Sequence, residues 1–449
     1  MEEKRNTRDM TSGTIWKHIV LFSIPLLIGN FFQQLYNTVD SIVVGNFVSS
    51  EALAAVGSTG PVINTLVGFF LGMSSGAGVV ISHYFGAKDE KKLHQAIHTT
   101  VLLTFLLGIL FTVIGILMVP FMVSFMKTPA DVVAESTRYL RIYFAGLMGL
   151  MVYNMGSGIL RAVGDSKRPL YFLCLSSVIN IVLDLLFVVG FGMGIEGVSY
   201  ATILSELISA IMVLWVLTKT KDVYRLNWGD LCLTKEILKK ICIVGIPAGL
   251  QMAVTSFSNV FVQSYINHFG SSCMAGWTSY SKIDQFVILP MQSLSLAATT
   301  FVGQNLGAHD DKRAGKGMKT ALYLSLGVTI VLTILLNIAA TPAIMMFTRD
   351  AKVLHFGRIF LHFMSPFYVC CCFNQIHAGA LRGAGDANGP MFIMLGSFVV
   401  FRQIYLALTA HFIGGIYPVA FAYPAGWILC SIFMFFYYRH AEKRRKYLT

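Results

Sequence analysis

The 449-residue sequence predicts an all-α integral membrane protein: twelve transmembrane helices in two parallel six-helix repeats that form two lobes. Three observations carry this expectation. Hydrophobic residues make up 55% of the chain and charged ones only 12%, with a mean hydropathy of +0.67. An average soluble domain is about 25% charged. The apolar residues gather into twelve runs, each long enough to cross a bilayer, which takes about 20 residues of helix. Signals in the first half of the chain return in the second at a spacing of 221–222 residues. Together these exclude a disordered chain, a nucleic-acid-binding domain and an ordinary cytosolic enzyme.

The runs cover roughly residues 16–47, 53–84, 96–122, 137–160, 168–191, 195–218, 239–267, 273–303, 317–346, 356–381, 389–412 and 416–438. The longest connection, near Lys219–Lys240, divides an N-terminal lobe (1–220) from a C-terminal lobe (221–449) and leaves no room for a soluble domain. A β-barrel is excluded because the runs are too long and lack period-two alternation. Met1–Gly13 is polar, with no short apolar core and no small-residue cleavage site, so no removable signal peptide is expected. The eight cysteines contain no C-x-x-C pair and read as small reduced hydrophobes.

The formal charge of +12 sits in clusters between the spans. One set of loops, including both termini, holds 26 Lys and Arg against 6 in the other set. That asymmetry places both termini in the cytoplasm of a multi-pass protein of the cell membrane.

The repeat is explicit. Gly158-Ile159-Leu160-Arg161-Ala162-Val163-Gly164-Asp165 returns as Gly379-Ala380-Leu381-Arg382-Gly383-Ala384-Gly385-Asp386, with five identities in eight at a spacing of 221. Pro169 meets Pro390, and Gly86-Ala87-Lys88-Asp89 meets Gly307-Ala308-His309-Asp310. Ile24-Pro25 meets Ile246-Pro247 at 222. Six spans per half start both halves on the same side, so the repeats are parallel. Transporters built this way carry their substrate path between the halves near mid-membrane and work by alternating access.

Ionisable groups inside spans are costly and point to function by default. Asp40 falls late in span 1 and Asp184 two-thirds along span 5, which places both in the outer half of the bilayer. Asn180 lies one turn before Asp184 on the same face, and Thr202 of span 6 falls at the same depth. Two carboxylates, a carboxamide and a hydroxyl make an oxygen-rich pocket suited to Na⁺ or to a shared proton. Glu206, one turn beyond Thr202, reads equally as a proton relay or a structural partner, and Tyr36 and Asn37, one turn before Asp40, are further relay or structural candidates. Lys282, Asp284 and Arg402 read more readily as structural. Projected by 221–222 residues, the four site positions become Val262, Phe401, Tyr405 and Tyr423, so ion chemistry is expected in the N-terminal half alone. The aromatic replacements suit an apolar or cationic organic ligand. Pro25 and Pro247 permit bends in the first span of each half. Gly68, Gly72 and Gly76 permit close helix packing.

The twelve spans, the parallel halves, Ile24-Pro25, Asn37-Thr38-Val39-Asp40 and Gly158–Asp165 together resemble the multidrug and toxic compound extrusion (MATE) family, closest to its prokaryotic DinF-like branch. The resemblance covers essentially the whole chain. It implies a secondary active antiporter that exports amphipathic, often cationic, compounds in exchange for H⁺ or Na⁺, with no other cofactor or metal. Asp40, Asn180, Asp184 and Thr202 match the cation site of the N-terminal lobe, and Pro25 matches the proline at which span 1 bends in some members. The NorM-like branch also uses acids in spans 7 and 10, where this chain has Gln251, Thr255, Ser256, Asn374, Gln375 and His377. Expected partners are the substrate and the bilayer, in a monomer without nucleic acid. The alternative is a lipid-linked saccharide flippase of the same larger superfamily, which would want a large cationic cavity. A membrane enzyme would need clustered histidines or an acid–nucleophile pair, and an ion channel would need pore loops between spans. The sequence shows neither.

Overall fold

The computed structural model describes residues 9–126, 128 and 132–446, and twelve of its helices are long and apolar enough to cross a membrane. They are Ile15–Phe47, Val62–Gly86 (part of the helix Ser50–Gly86), Glu90–Ser124, Val133–Ala162, Lys167–Gly190 and Gly194–Lys219 in the first half, here spans 1–6. Spans 7–12 are Lys235–Asn267, Ser271–Gly307, Asp311–Ile338, Ala351–Gly383, Asn388–Phe412 and Ile416–Lys443. Span 9 ends earlier than expected, at Ile338, and is followed by a separate short helix, Ala340–Met345. Pro342 accounts for the break: a proline ring clashes with the carbonyl four residues earlier, here that of Ile338.

The repeat is visible bond by bond. Ser74 Oγ donates to Asn154 O at 2.8 Å, and Ser295 Oγ, 221 residues on, donates to Gln375 O at 2.7 Å. Asp89 caps span 3 through the Lys92 N–H at 3.0 Å, as Asp310 caps span 9 through the Arg313 N–H at 2.8 Å. The matching Gly164 and Gly385 both turn at φ 85°, a left-handed conformation that favours glycine. The aspartates that follow do the same work: Asp165 accepts from the Arg168 N–H and Asp386 from the Gly389 N–H, each at 3.1 Å. The duplicated motif therefore breaks one span and caps the next. Burial holds the Asp165 carboxyl above the usual carboxylate range, against the pull of the Arg168 backbone N–H and guanidinium.

The halves meet along spans 2 and 7, which run antiparallel. A Cβ on Gly72 would overlap the Gly249 backbone, and one on Gly76 would overlap Gly245. At the end of the bundle that carries the basic loops, a Cβ on Gly86 would strike the Gln304 carbonyl and one on Gly307 the His83 carbonyl. These two contacts exchange under the 221-residue shift, which marks the pseudo-twofold axis between spans 2 and 8.

Spans 1 and 7 each belong to both lobes. The first half of span 1 (Ile19, Phe22, Leu26) packs in the large core of spans 8–12, whereas Val43 and Val44 pack with Val188, Ile195 and Val198 of spans 5 and 6. Span 7 reverses this: Ile237 and Ile241 join the core of the N-terminal half, Val262 and Ile266 that of the C-terminal half. Pro25 and Pro247 sit near these changeovers, where a missing backbone hydrogen bond makes bending cheap.

The basic end is stapled shut by the segment before span 1. Met10, fully buried, donates its N–H to Gln304 Oε1 at 3.0 Å and accepts from Asn305 Nδ2 at 3.3 Å and Arg313 Nη2 at 3.1 Å. Gln304 Nε2 in turn donates to Ala162 O at 2.8 Å, which joins the two halves. Gln304→Leu strands a buried donor and a buried acceptor, each worth about 1–3 kcal/mol. Amide exchange at residues 10–13, followed by mass spectrometry, is expected to quicken by about tenfold or more.

Candidate substrate and ion site

Span 1 continues unbroken past Asp40 to Phe47, so Asp40 stands inside a helix rather than at its end. Asp184 closes the α-helical part of span 5, and a π-helical turn, Leu185–Gly190, follows it directly. Such turns occur frequently at functional positions. Asp184 is fully buried and Asn180 is 1% exposed, while Asp40 is half-buried. The Asp40 and Asp184 carboxyls lie within hydrogen-bonding reach of each other. Apart from that mutual contact, Asp40 Oδ1, both Asp184 oxygens and both Asn180 amide atoms are buried without a protein partner. Two carboxylates in contact repel each other when both are ionised.

The other expected residues take different places. Thr202, half-buried in span 6, donates its hydroxyl to Val198 O at 3.0 Å and retains only its lone pairs for a ligand. Glu206 and Tyr36 lie close enough to Asp40 to feel its charge. Asn37 is exposed. Span 4 adds two phenols that sequence reasoning missed: Tyr139 feels Asp40, Asp184 and Glu206, and Tyr143 feels Glu206. Their rings lie 6.3 Å apart, one turn from each other, so one face of span 4 walls the acidic pocket. The i,i+4 tyrosine pair was the available signal.

The projected C-terminal positions carry no acid: Val262 is core, Phe401 and Tyr405 pair at 6.3 Å, and Tyr423 receives the Arg402 guanidinium. An acid is nevertheless present in that half. Asp284 Oδ1 accepts from Tyr280 OH at 3.0 Å and Tyr368 OH at 2.6 Å, and the two phenols lie 2.9 Å apart. The sequence names this carboxylate on span 8 but reads it as structural, because projection from span 1 points at span 7. Tyr280 at i−4 was readable in the sequence, whereas Tyr368 reaches the site only through folding. Near the middle of their spans Gln34 donates to Gln285 at 2.8 Å, and Phe31 meets Phe286 at 5.8 Å. The Gln285 stripe of span 8 therefore faces the other lobe.

Among the described residues one His/Asp trio, His94, His98 and Asp230, gathers at metal-like spacing at the basic end. His98 Nδ1 donates to His94 O at 2.7 Å and Nε2 accepts from the Asn227 N–H at 3.0 Å, so neither nitrogen is left for an ion. The trio ties span 3 to the loop before span 7.

Comparison with known proteins agrees with this architecture. The MatE family model matches residues 25–186 and again 247–408, two copies offset by 222 residues. The chain is 30% identical over 439 residues to the probable multidrug resistance protein YpnP of Bacillus subtilis, covering 97% of each. It is 25% identical to the probable multidrug resistance protein NorM of Thermotoga maritima, covering 91% of this chain and 90% of that one. The solved outward-facing structure of a MATE-family multidrug resistance transporter superposes with a TM-score of 0.91 at 25% identity, over 99% of this chain and 100% of the other. Two matched halves, a twelve-span two-lobe bundle and these relatives show that the chain belongs to the MATE family and is a multi-pass membrane transporter, not an enzyme.

Proposed function

We propose that this protein is a secondary active multidrug efflux antiporter that exports amphipathic, often cationic, organic compounds in exchange for H⁺ or Na⁺. The observation that carries the reading is the Asp40–Asp184 contact, with Asn180 beside it and five buried polar atoms lacking any other protein partner. The names of the relatives support a drug-like cargo. The loop charge of 26 against 6 supports cytoplasmic termini in the cell membrane. The stapled basic end then seals the cytoplasmic side.

Coupling follows from charge competition. With the pair ionised, the N-terminal lobe attracts a cationic cargo. With a proton or Na⁺ between the carboxyls that attraction is gone, and the cargo leaves outward. The ion drives transport only through unequal affinity for the two lobe arrangements. Span 1 transmits the difference, because its outer half carries Asp40 while its inner half is anchored in the opposite lobe beyond Pro25.

The test is efflux of a cationic fluorescent dye from everted vesicles, with a pH gradient and a Na⁺ gradient imposed separately. At least one gradient is expected to drive accumulation. Coupling to neither, together with movement of a lipid-linked sugar, would replace this reading with the flippase.

A further inference from the structure

Arg402 opens the helical part of span 11 directly after a π-helical turn, Gly396–Phe401. In the first half the π turn abuts Asp184 instead. The fifth span of each half thus carries one membrane-embedded charge beside a π turn, acidic in one lobe and basic in the other. Arg402 is 3% exposed. Its Nη2 donates to Ser258 Oγ at 3.0 Å and Asn259 Oδ1 at 2.9 Å, and its guanidinium lies 4.5 Å from the centre of the Tyr423 ring. Both hydrogen-bond partners are neutral, and the Nε–H is buried with no acceptor.

A guanidinium buried at membrane depth without an acid is costly, and such groups mark ligand paths. Asp284 is not among its hydrogen-bond partners and accepts instead from two phenols. The residues around Arg402 have the parts of an aromatic-anion site. Asn259 is exposed and opens it to the surface of span 7, and Trp277 stacks on Tyr423 at 5.6 Å and 29° to form a flat wall. Lys282 is exposed three residues before Gln285, on the stripe of span 8 that faces the other lobe.

We propose that Arg402, with Ser258, Asn259 and the Tyr423–Trp277 wall, is a carboxylate-recognition subsite of the C-terminal lobe. The cargo then includes aromatic compounds that carry a carboxylate as well as a positive charge. The carboxylate takes the orphan Nε–H and balances the guanidinium while the ring lies on the aromatic wall, and the cationic end faces the acids of the opposite lobe. Planar forked recognition of carboxylates is what arginine does better than lysine. The proposal rests on the efflux reading for its transport consequence, but not for binding.

The test uses the full-length protein, titrated by fluorescence polarisation with an aminoxanthene dye as its free carboxylate and as its methyl ester. The wild type is expected to bind the free acid more tightly than the ester. Arg402→Gln is expected to lower that discrimination by about 10–30-fold, the scale of one lost charge-assisted hydrogen bond. Arg402→Lys should lower it less, and Lys282→Gln, at an exposed position that tolerates change, should lower it by about threefold. No discrimination in the wild type, or equal weakening of both dyes by Arg402→Gln, overturns the subsite. Absence of gradient-driven efflux with binding discrimination intact sinks the antiport reading and leaves the subsite standing. Efflux of the ester with no discrimination does the reverse.

Discussion

Asp184→Asn is expected to slow gradient-driven dye efflux by about 100-fold or more, because it removes one of two charges that must be cancelled in each cycle. The amide is permanently neutral, so the pair can no longer alternate between a state that holds a small cation and one that does not. Asp184 is fully buried and touches Asp40, so no neighbouring acid takes over its place without rebuilding the pocket. Asp40→Asn should behave alike. Thr202→Val should keep efflux within about threefold, since the hydroxyl proton is already given to Val198 O and only a lone pair is lost. The measurement is initial efflux rate in vesicles, with dye binding to the purified variant as a check on folding. Full efflux by Asp184→Asn would end the ion-coupling account.

Gly72→Ala should be among the most damaging single methyl additions outside the acidic pocket. The added Cβ meets the Gly249 backbone rather than a side chain that can swing away, so spans 2 and 7 must separate. Small residues at such crossings let membrane helices approach, and removing that fit forfeits packing along the seam. The expected cost is about 3 kcal/mol or more, with a melting temperature lowered by about 5 °C or more. Gly60→Ala is the control, since it lies in the same helix with nothing within 4 Å of its Cβ. It should be neutral or slightly stabilising. Equal melting of the two variants would show that the seam is not a close backbone contact.

Much of this was legible without a structure, for identifiable reasons. Span count follows from run length, and the duplication from recurrent Pro25/Pro247 and Gly164/Gly385 signals, all local properties. The i,i+4 step from Asn180 to Asp184 is likewise local. Span 9 was overrun because apolar composition continues past Ile338, while one proline ends the helix. Arg402 and Asp284 were read as structural because their surroundings come from residues far away in the chain. Ser258 lies 144 positions from Arg402, and Tyr368 lies 84 from Asp284.

The amino-acid order alone decided that this is a duplicated twelve-helix membrane protein with acids embedded in its first half, because composition and periodicity act within one helix. Folding decided that Asp40 touches Asp184, that spans 1 and 7 are shared between lobes, and that the Arg402 guanidinium lies over the Tyr423 ring. Those facts depend on which helix faces which, and that is settled by the packing of glycine seams and cores contributed by distant segments.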